Sequence, residues 1–256
     1  MNNWRAAVGG AILAAVNPAS AEQGLAVDID ITQRYMWRGL DLLDDTGALQ
    51  PSVTWDAGRR WYLGAWGSFA LERGNGCTEI TGEICRDWDE IDFYAGVYGS
   101  LAEGSRWQAD WDASLTYFWF MHQDRKADTA ELALSVAFPR LIAKDGPHPY
   151  LAYFYNRGAQ VEGDRGYWLI GGVEQAFDFA GRTLGFDLNL TYKNGDAGLW
   201  SYSGFTNANL RLYLSYPLGG GELIPAINLQ KALADRGNAI GPEDVVWGNV
   251  MFSYSF

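Results

Sequence analysis

The chain is poor in the residues that would place it in most protein classes. Its 256 residues hold 2 cysteines, 2 histidines and 8 prolines, and 19 basic side chains stand against 31 acidic ones. The two cysteines, taken as a metal pair, lack the neighbouring His or further Cys that would complete a zinc site. The shortage of basic residues excludes nucleic acid as a partner, because phosphate recognition needs a net basic face. No apolar run approaches the roughly 20 residues of a transmembrane helix, and no stretch after the N-terminal leader carries a helical period. Aromatics and glycine are abundant instead, with 12 Trp, 14 Tyr, 12 Phe and 31 Gly. Aromatic-rich, glycine-rich and short of long apolar runs, the composition fits an all-β chain with one apolar and one polar face.

Arg5, the apolar run Ala6 to Val16 and the small-residue site Ala19-Ser20-Ala21 predict a signal peptide over residues 1–21, cut before Glu22, with residues 22–256 forming the exported domain. An exported chain meets an oxidising periplasm, so Cys77 and Cys85, in a polar glycine-rich segment, are expected to form a loop disulfide.

Strict alternation fills the rest. The last segment sets Val246, Gly248, Val250, Phe252, Tyr254 and Phe256 on one face and Trp247, Asn249, Met251, Ser253 and Ser255 on the other. Twelve such segments can be counted, which predicts an antiparallel transmembrane β-barrel closed by the strand that ends in Phe256. The first strand is expected to run from Leu25 to Trp37, with Leu25, Val27, Ile29, Ile31, Tyr35 and Trp37 outward. The seventh, near Tyr150 to Tyr155, has an ambiguous outward face. Connectors fall into two classes, short ones such as Ala57 to Arg60 and Asp178 to Gly181, and long polar ones such as Leu40 to Gly47 and Arg73 to Trp88. That places the barrel in a bacterial outer membrane, short turns periplasmic and long loops extracellular. A turn at Ala102 to Ser105 sets Tyr94 opposite Asp112 and Gly96 opposite Asp110.

Residues also combine into a resemblance. Tyr35-Met36-Trp37-Arg38-Gly39-Leu40, then Ala48-Leu49-Gln50-Pro51, Trp61-Tyr62-Leu63-Gly64-Ala65-Trp66-Gly67-Ser68 and Glu90-Ile91-Asp92-Phe93-Tyr94-Ala95-Gly96 resemble the proteobacterial Gcw_chp family, also called TorF-type porins. The resemblance is best over residues 25–120, and its most specific piece is aromatic-x-aromatic-Arg-Gly, where Trp37 stands at a position that is more often Phe. It implies an outer-membrane barrel of about this length, and no catalytic residue.

By alternation the lumen is expected to carry Asp28, Asp30, Glu90, Asp92, Asp110, Asp112, Glu131, Glu174 and Asp187 against Arg34, Arg38, Lys193 and Arg211. An acidic excess in a confined space favours cations. Tyr62, Trp66, Tyr94, Tyr98, Trp168, Tyr213 and Trp247 share that inward face. They either form a slide for solutes or fill a small barrel. A tyrosine lying over a glycine beside a carboxylate is a further, purely structural use of such rings. The pairs Asp28-x-Asp30 and Asp110-x-Asp112 lack the glycine-turned loop of a calcium site, so no metal or cofactor is expected. An outer-membrane lipid hydrolase would need a His beside a nucleophile and an acid. His148 sits beside Pro149 on the expected periplasmic side, and His122, near Asp124, has only Ser201 or Ser203 as remote partners. The chain is thus expected to be no enzyme but a narrow, mildly cation-preferring channel for small hydrophilic solutes, against the alternative of a side-chain-plugged structural or docking barrel. Its partners are expected to be outer-membrane lipid and lipopolysaccharide, and the barrel-assembly machinery through the C-terminal strand.

Overall fold

Every long segment with period-two alternation becomes a strand. The computed structural model describes residues 24–43, 45–72, 89–121, 128–144, 146–158, 165–195, 202–234 and 242–256. The leader, Cys77, Cys85, His122, Asp124 and Ser201 lie outside the described residues. In chain order the elements are β1 (Gly24–Thr32), β2 (Met36–Trp37), β3 (Leu40–Asp41), β4 (Ala48–Asp56), β5 (Trp61–Ala70), β6 (Glu90–Leu101), β7 (Ala109–Phe120), β8 (Thr129–Ala137), β9 (His148–Gly158), β10 (Arg165–Phe179), β11 (Arg182–Gly195), β12 (Gly204–Leu218), β13 (Gly221–Ala232) and β14 (Val245–Ser255).

All but β2 and β3 form one closed antiparallel barrel of twelve strands in which β1 pairs with both β4 and β14. The seam aligns Val27 with Tyr254 and Ile31 with Val250, and the Phe256 amide donates to the Leu25 carbonyl at 2.8 Å. Closure leaves no sheet edge unpaired, the condition for crossing a bilayer with strands.

The outer surface is apolar all round. Ile31, Leu115 and Val246 are 53%, 60% and 64% exposed, and one outward-facing side chain after another along β4 to β14 behaves alike. Leaving such a belt in water would cost about 25 cal/mol per Å², so it marks the bilayer-facing wall. Toward the long-connector rim, Tyr153, Tyr167, Tyr192 and Phe205 on four adjacent strands touch ring to ring at 5.5, 6.4 and 5.5 Å, as interfacial girdles do. This resolves the seventh strand, now β9: Leu151 and Tyr153 face out, while Tyr150, Ala152 and Phe154 face in.

Two expectations fail. The β6–β7 register places Tyr98 opposite Asp112, Ser100 opposite Asp110, Tyr94 opposite Thr116 and Gly96 opposite Ser114. The connector is longer than four residues, because the Ser105 amide bonds Ala102 and the Gln108 amide then bonds Ser105, two successive turns that hold Trp107 out of the strand. The slip is even, so every side chain keeps its face. The second failure concerns the first strand. It stops at Thr32, and Tyr35 and Trp37, expected among the lipid-facing residues, are buried inside the barrel.

Candidate functional site

The segment that leaves β1 turns inward and forms a miniature hairpin. Met36 pairs with Asp41 and Trp37 with Leu40, leaving Arg38 and Gly39 as the two turn residues, with φ of 48° and 97°. Positive φ at both central positions defines the turn that suits a two-residue hairpin, and glycine takes the second position without strain. Gly39 is also required by space, because a Cβ there would lie 2.4 Å from Oδ1 of Asn207. Arg38 accepts a left-handed conformation that disfavours a side chain by about 1 kcal/mol. The gain is position: its guanidinium is carried at the hairpin tip, into the lumen.

That tip is clamped. The Arg38 guanidinium donates through Nη1 and Nη2 to the two carboxylate oxygens of Glu131 on β8, both at 2.6 Å, and Asn156 on β9 donates to Glu131 at 3.0 Å. The side chains of this pair are 1% and 3% exposed. Rings enclose the cation, with its central carbon 4.1 Å from the centroid of Phe154, 4.7 Å from Trp37 and 5.9 Å from Trp168. Removing either partner of such a buried pair typically costs about 3–5 kcal/mol, because the other charge is left desolvated. Elsewhere the Tyr35 hydroxyl donates to Glu90 on β6 at 2.6 Å, its ring lies 5.6 Å from Trp66 on β5, and Gln230 on β13 donates to the Gly39 carbonyl at 2.9 Å. Walls on opposite sides of the bore therefore share one hairpin. At its base Arg34 donates to Asp41 at 3.0 Å and Glu243 at 2.7 Å and also pairs with Asp45. Those three carboxylates lie close enough to hold a metal ion, but the arginine already supplies their counter-charge. Burial raises the Asp41 carboxyl above the ordinary carboxylate range, and the Asp45 and Leu43 amides and Arg34 work against the shift.

The inward tyrosines of the barrel strands lie along the wall. Tyr94 stands opposite Gly64, Tyr62 opposite Gly96, Tyr150 opposite Gly172 and Tyr213 opposite Gly185. In each pair a Cβ on the glycine would meet the tyrosine ring at 2.2 to 2.6 Å, so the ring rests flat on the glycine backbone. Three of the hydroxyls reach the strand beyond. Tyr94 bonds Thr54 at 2.6 Å, Tyr150 donates to Asp187 at 2.7 Å, and Tyr62 bonds Asp112. The expected tyrosine-over-glycine packing is thus present, but across strands rather than between Tyr94 and Gly96. Tyr98 similarly donates to Asp56 at 2.8 Å. Trp66 and Trp168 instead pack on the hairpin, in one cluster with Tyr35, Trp37, Leu40, Leu43 and Phe154, and Trp247 lies half-buried on β14.

The charged residues read from the sequence all fall on the inner wall or the hairpin, though they do not converge on one spot. Asp28 accepts from Ser52 at 3.1 Å, Asp30 from Asn249 at 3.0 Å, Asp110 from Ser100 at 2.6 Å, and Asp187 from Asn189. Arg211 lies opposite Asp187 in the β11–β12 ladder, and Glu174 opposite it in the β10–β11 ladder. Lys193 donates to the Gly195 carbonyl at 2.8 Å and lies 5.4 Å from the Trp168 ring. Asp92, opposite Trp66 and Phe118, is 1% exposed, and among the described residues neither of its carboxylate oxygens has a hydrogen-bond partner. An amide run that sequence reading passed over, Asn189, Asn209, Asn228 and Asn249, lines β11 to β14, with Asn209 donating to Asn189 at 2.9 Å and Asn228 to Asn249 at 3.0 Å. Its signal was an Asn at an inward position on each of four successive strands.

A closed barrel with an apolar belt, a polar bore and a hairpin folded into that bore is a transmembrane barrel of the bacterial outer-membrane type. The chain belongs to the family described as bacterial protein of unknown function (Gcw_chp), whose pattern matches residues 16–144, the part that contains the hairpin and its Glu131 partner. No curated protein matches the sequence. Among solved structures the chain is similar to a KdgM porin, at 12% identity and TM-score 0.52 over 90% of this chain and 99% of that one. It is equally similar, at 13% identity and TM-score 0.52 over the same shares, to a KdgM porin in complex with disordered oligogalacturonate. The translocator domain of autotransporter NalP from Neisseria meningitidis follows at 11% identity and TM-score 0.50, over 92% of this chain and 89% of that one. At these identities the likeness is one of fold.

Proposed function

We propose that this barrel is a narrow outer-membrane channel for small hydrophilic solutes, with the β2–β3 hairpin as its constriction and a mild preference for cations. The observation that carries the reading is the disposition of the lumen. Its tyrosines lie flat against glycines, and the positions facing the bore between the hairpin and the short-turn rim are mostly amides, hydroxyls and carboxylates. A barrel meant only as a solid post would fill that space with apolar side chains, which are cheaper to pack than polar ones. The preference for cations rests on the excess of inward carboxylates over Arg34, Arg38, Lys193 and Arg211, of which Arg34 and Arg38 are already bound to carboxylates.

The long connectors, including the hairpin, are read as the extracellular end and the short turns as periplasmic. The apolar belt would meet outer-membrane lipid, the outer rim lipopolysaccharide, and the β14 strand the barrel-assembly machinery. A second reading rests on the same hairpin: clamped to walls on opposite sides, it makes the barrel a sealed support that docks partners through its loops.

Single-channel recording of the refolded mature chain in a planar bilayer, across a salt gradient, separates the two. The channel predicts small stable steps with a reversal potential shifted toward the cation, and a smaller shift when Asp110 and Asp112 are both changed to Asn. A folded, heat-modifiable barrel that stays electrically silent refutes it.

A further inference from the structure

Arg38 occupies what any soluble guanidinium would seek. Glu131 presents both oxygens in the fork geometry that a guanidinium matches bidentately, Asn156 holds that carboxylate in place, and Phe154 and Trp168 offer ring faces to the cation. Glu131, Asn156, Phe154 and Trp168 belong to the barrel wall, on β8, β9 and β10, and the hairpin supplies only the ligand and one further ring, Trp37. A wall needs none of this to be stable, and an apolar contact between hairpin and wall would be easier to bury than a charge pair. On β6, two residues from Glu90, Asp92 is a further buried carboxylate, with neither oxygen hydrogen-bonded among the described residues.

We infer that the Glu131, Asn156, Phe154 and Trp168 pocket is a recognition site for the guanidinium group of a cationic solute, and that Arg38 is a tethered stand-in for that solute. The inference deepens the channel reading and rests on it for its physiological use. A solute carrying a guanidinium enters by displacing Arg38, and in doing so frees the hairpin tip from β8. Solutes without that group find the site filled. Because a group on a short tether competes at an effective concentration of about millimolar, the wild-type barrel responds only to solute at or above that level.

The test removes the stand-in. Arg38→Ala is refolded, checked for heat-modifiability, and titrated by calorimetry with L-arginine methyl ester and with its isostere L-citrulline methyl ester, which keeps the α-amine but has an uncharged ureido side chain, alongside the wild type. Expected are saturable binding of the arginine ester to Arg38→Ala, affinity at least about tenfold weaker in the wild type, no binding of the citrulline ester, and a loss of about 100-fold when Glu131→Gln is added. Arg38→Met, which keeps the apolar stem between the rings, serves if Arg38→Ala does not refold. Binding of neither ester, or of both equally, overturns the inference. Bilayer recording of the same proteins keeps the two readings apart. Binding without conductance upholds the site and removes the channel, whereas conductance without binding does the reverse.

Discussion

Replacing Gly39 by alanine should unseat the hairpin while leaving the barrel wall intact. At φ of 97° a side chain is disfavoured by about 1 kcal/mol. The added Cβ would stand 2.4 Å from Oδ1 of Asn207, and Asn207 cannot swing away without loss, because it is fully buried and its Oδ1 accepts from Thr206 at 2.6 Å. Overpacking of this kind costs about 1–3 kcal/mol. A combined penalty of about 3 kcal/mol shifts the seated-to-displaced equilibrium about 100-fold, since each 1.4 kcal/mol is tenfold. The Gln230 bond to the Gly39 carbonyl and the Arg38 clamp are both drawn into the change, as they hold the same two residues. In planar bilayers Gly39→Ala should show longer openings and a larger mean conductance than the wild type. Adding Asn207→Ala should return part of the closed behaviour, because it removes the obstructing atom and leaves only the backbone strain. Equal conductance in wild type and Gly39→Ala, with equal melting temperatures, refutes the reasoning; so does a double variant that behaves as the sum of two unrelated changes.

Gly185→Ala places a Cβ 2.2 Å from the Tyr213 ring and should lower stability by about 1–3 kcal/mol in urea titration, with Tyr213→Ala relieving most of the loss. A Gly185→Ala barrel as stable as the wild type would show that the ring does not need the glycine. Asp92→Asn removes a buried carboxyl that has no hydrogen-bond partner among the described residues and should leave stability unchanged or raise it. A clear drop in melting temperature would mean that Asp92 has an essential partner. Burial of Asp41 favours its protonated form, so the folded state binds that proton more tightly than the unfolded chain does. Asp41's contribution to hairpin stability is therefore fully present below the ordinary value of 3.8 and is lost as pH rises through the raised one. Arg34 pairing offsets part of this at neutral pH. Asp41→Asn should flatten this part of the pH profile of hairpin seating, read by conductance between pH 3 and 7, and an unchanged slope would clear Asp41 of the effect.

The barrel wall was legible because one face of each strand meets lipid, and period-two alternation records that directly. The hairpin was not, since Tyr35 and Trp37 continue the parity of Ile29 and Ile31, and aromatic burial in lipid and aromatic burial in a lumen leave the same pattern. Two signals did separate them. Tyr35-Met36-Trp37 is apolar on both faces, which suits a segment enclosed on every side, and Arg38-Gly39 is a dipeptide suited to a two-residue turn. The β6–β7 register was out of reach for a different reason. An even slip preserves every inward and outward assignment, so only the turn chemistry of Ser105 and Gln108 distinguishes the observed pairing from the expected one. The inward acids and bases were placed on the correct side of the wall by parity alone. What parity cannot tell is which of them close on each other, and Arg38 with Glu131, 93 residues apart in sequence, is the clearest case.

The seam between β1 and β14 also sets an order of events. The hairpin follows directly on β1, yet its anchors at Glu90, Glu131, Phe154, Trp168 and Gln230 are spread over strands that come much later in the chain. Those anchors surround the segment only once β14 has zipped onto β1 and the circle is complete. Contacts so distant in sequence form late. Seating the hairpin is therefore expected to follow closure of the wall, so that the bore is filled last by a segment that precedes eleven of the twelve barrel strands.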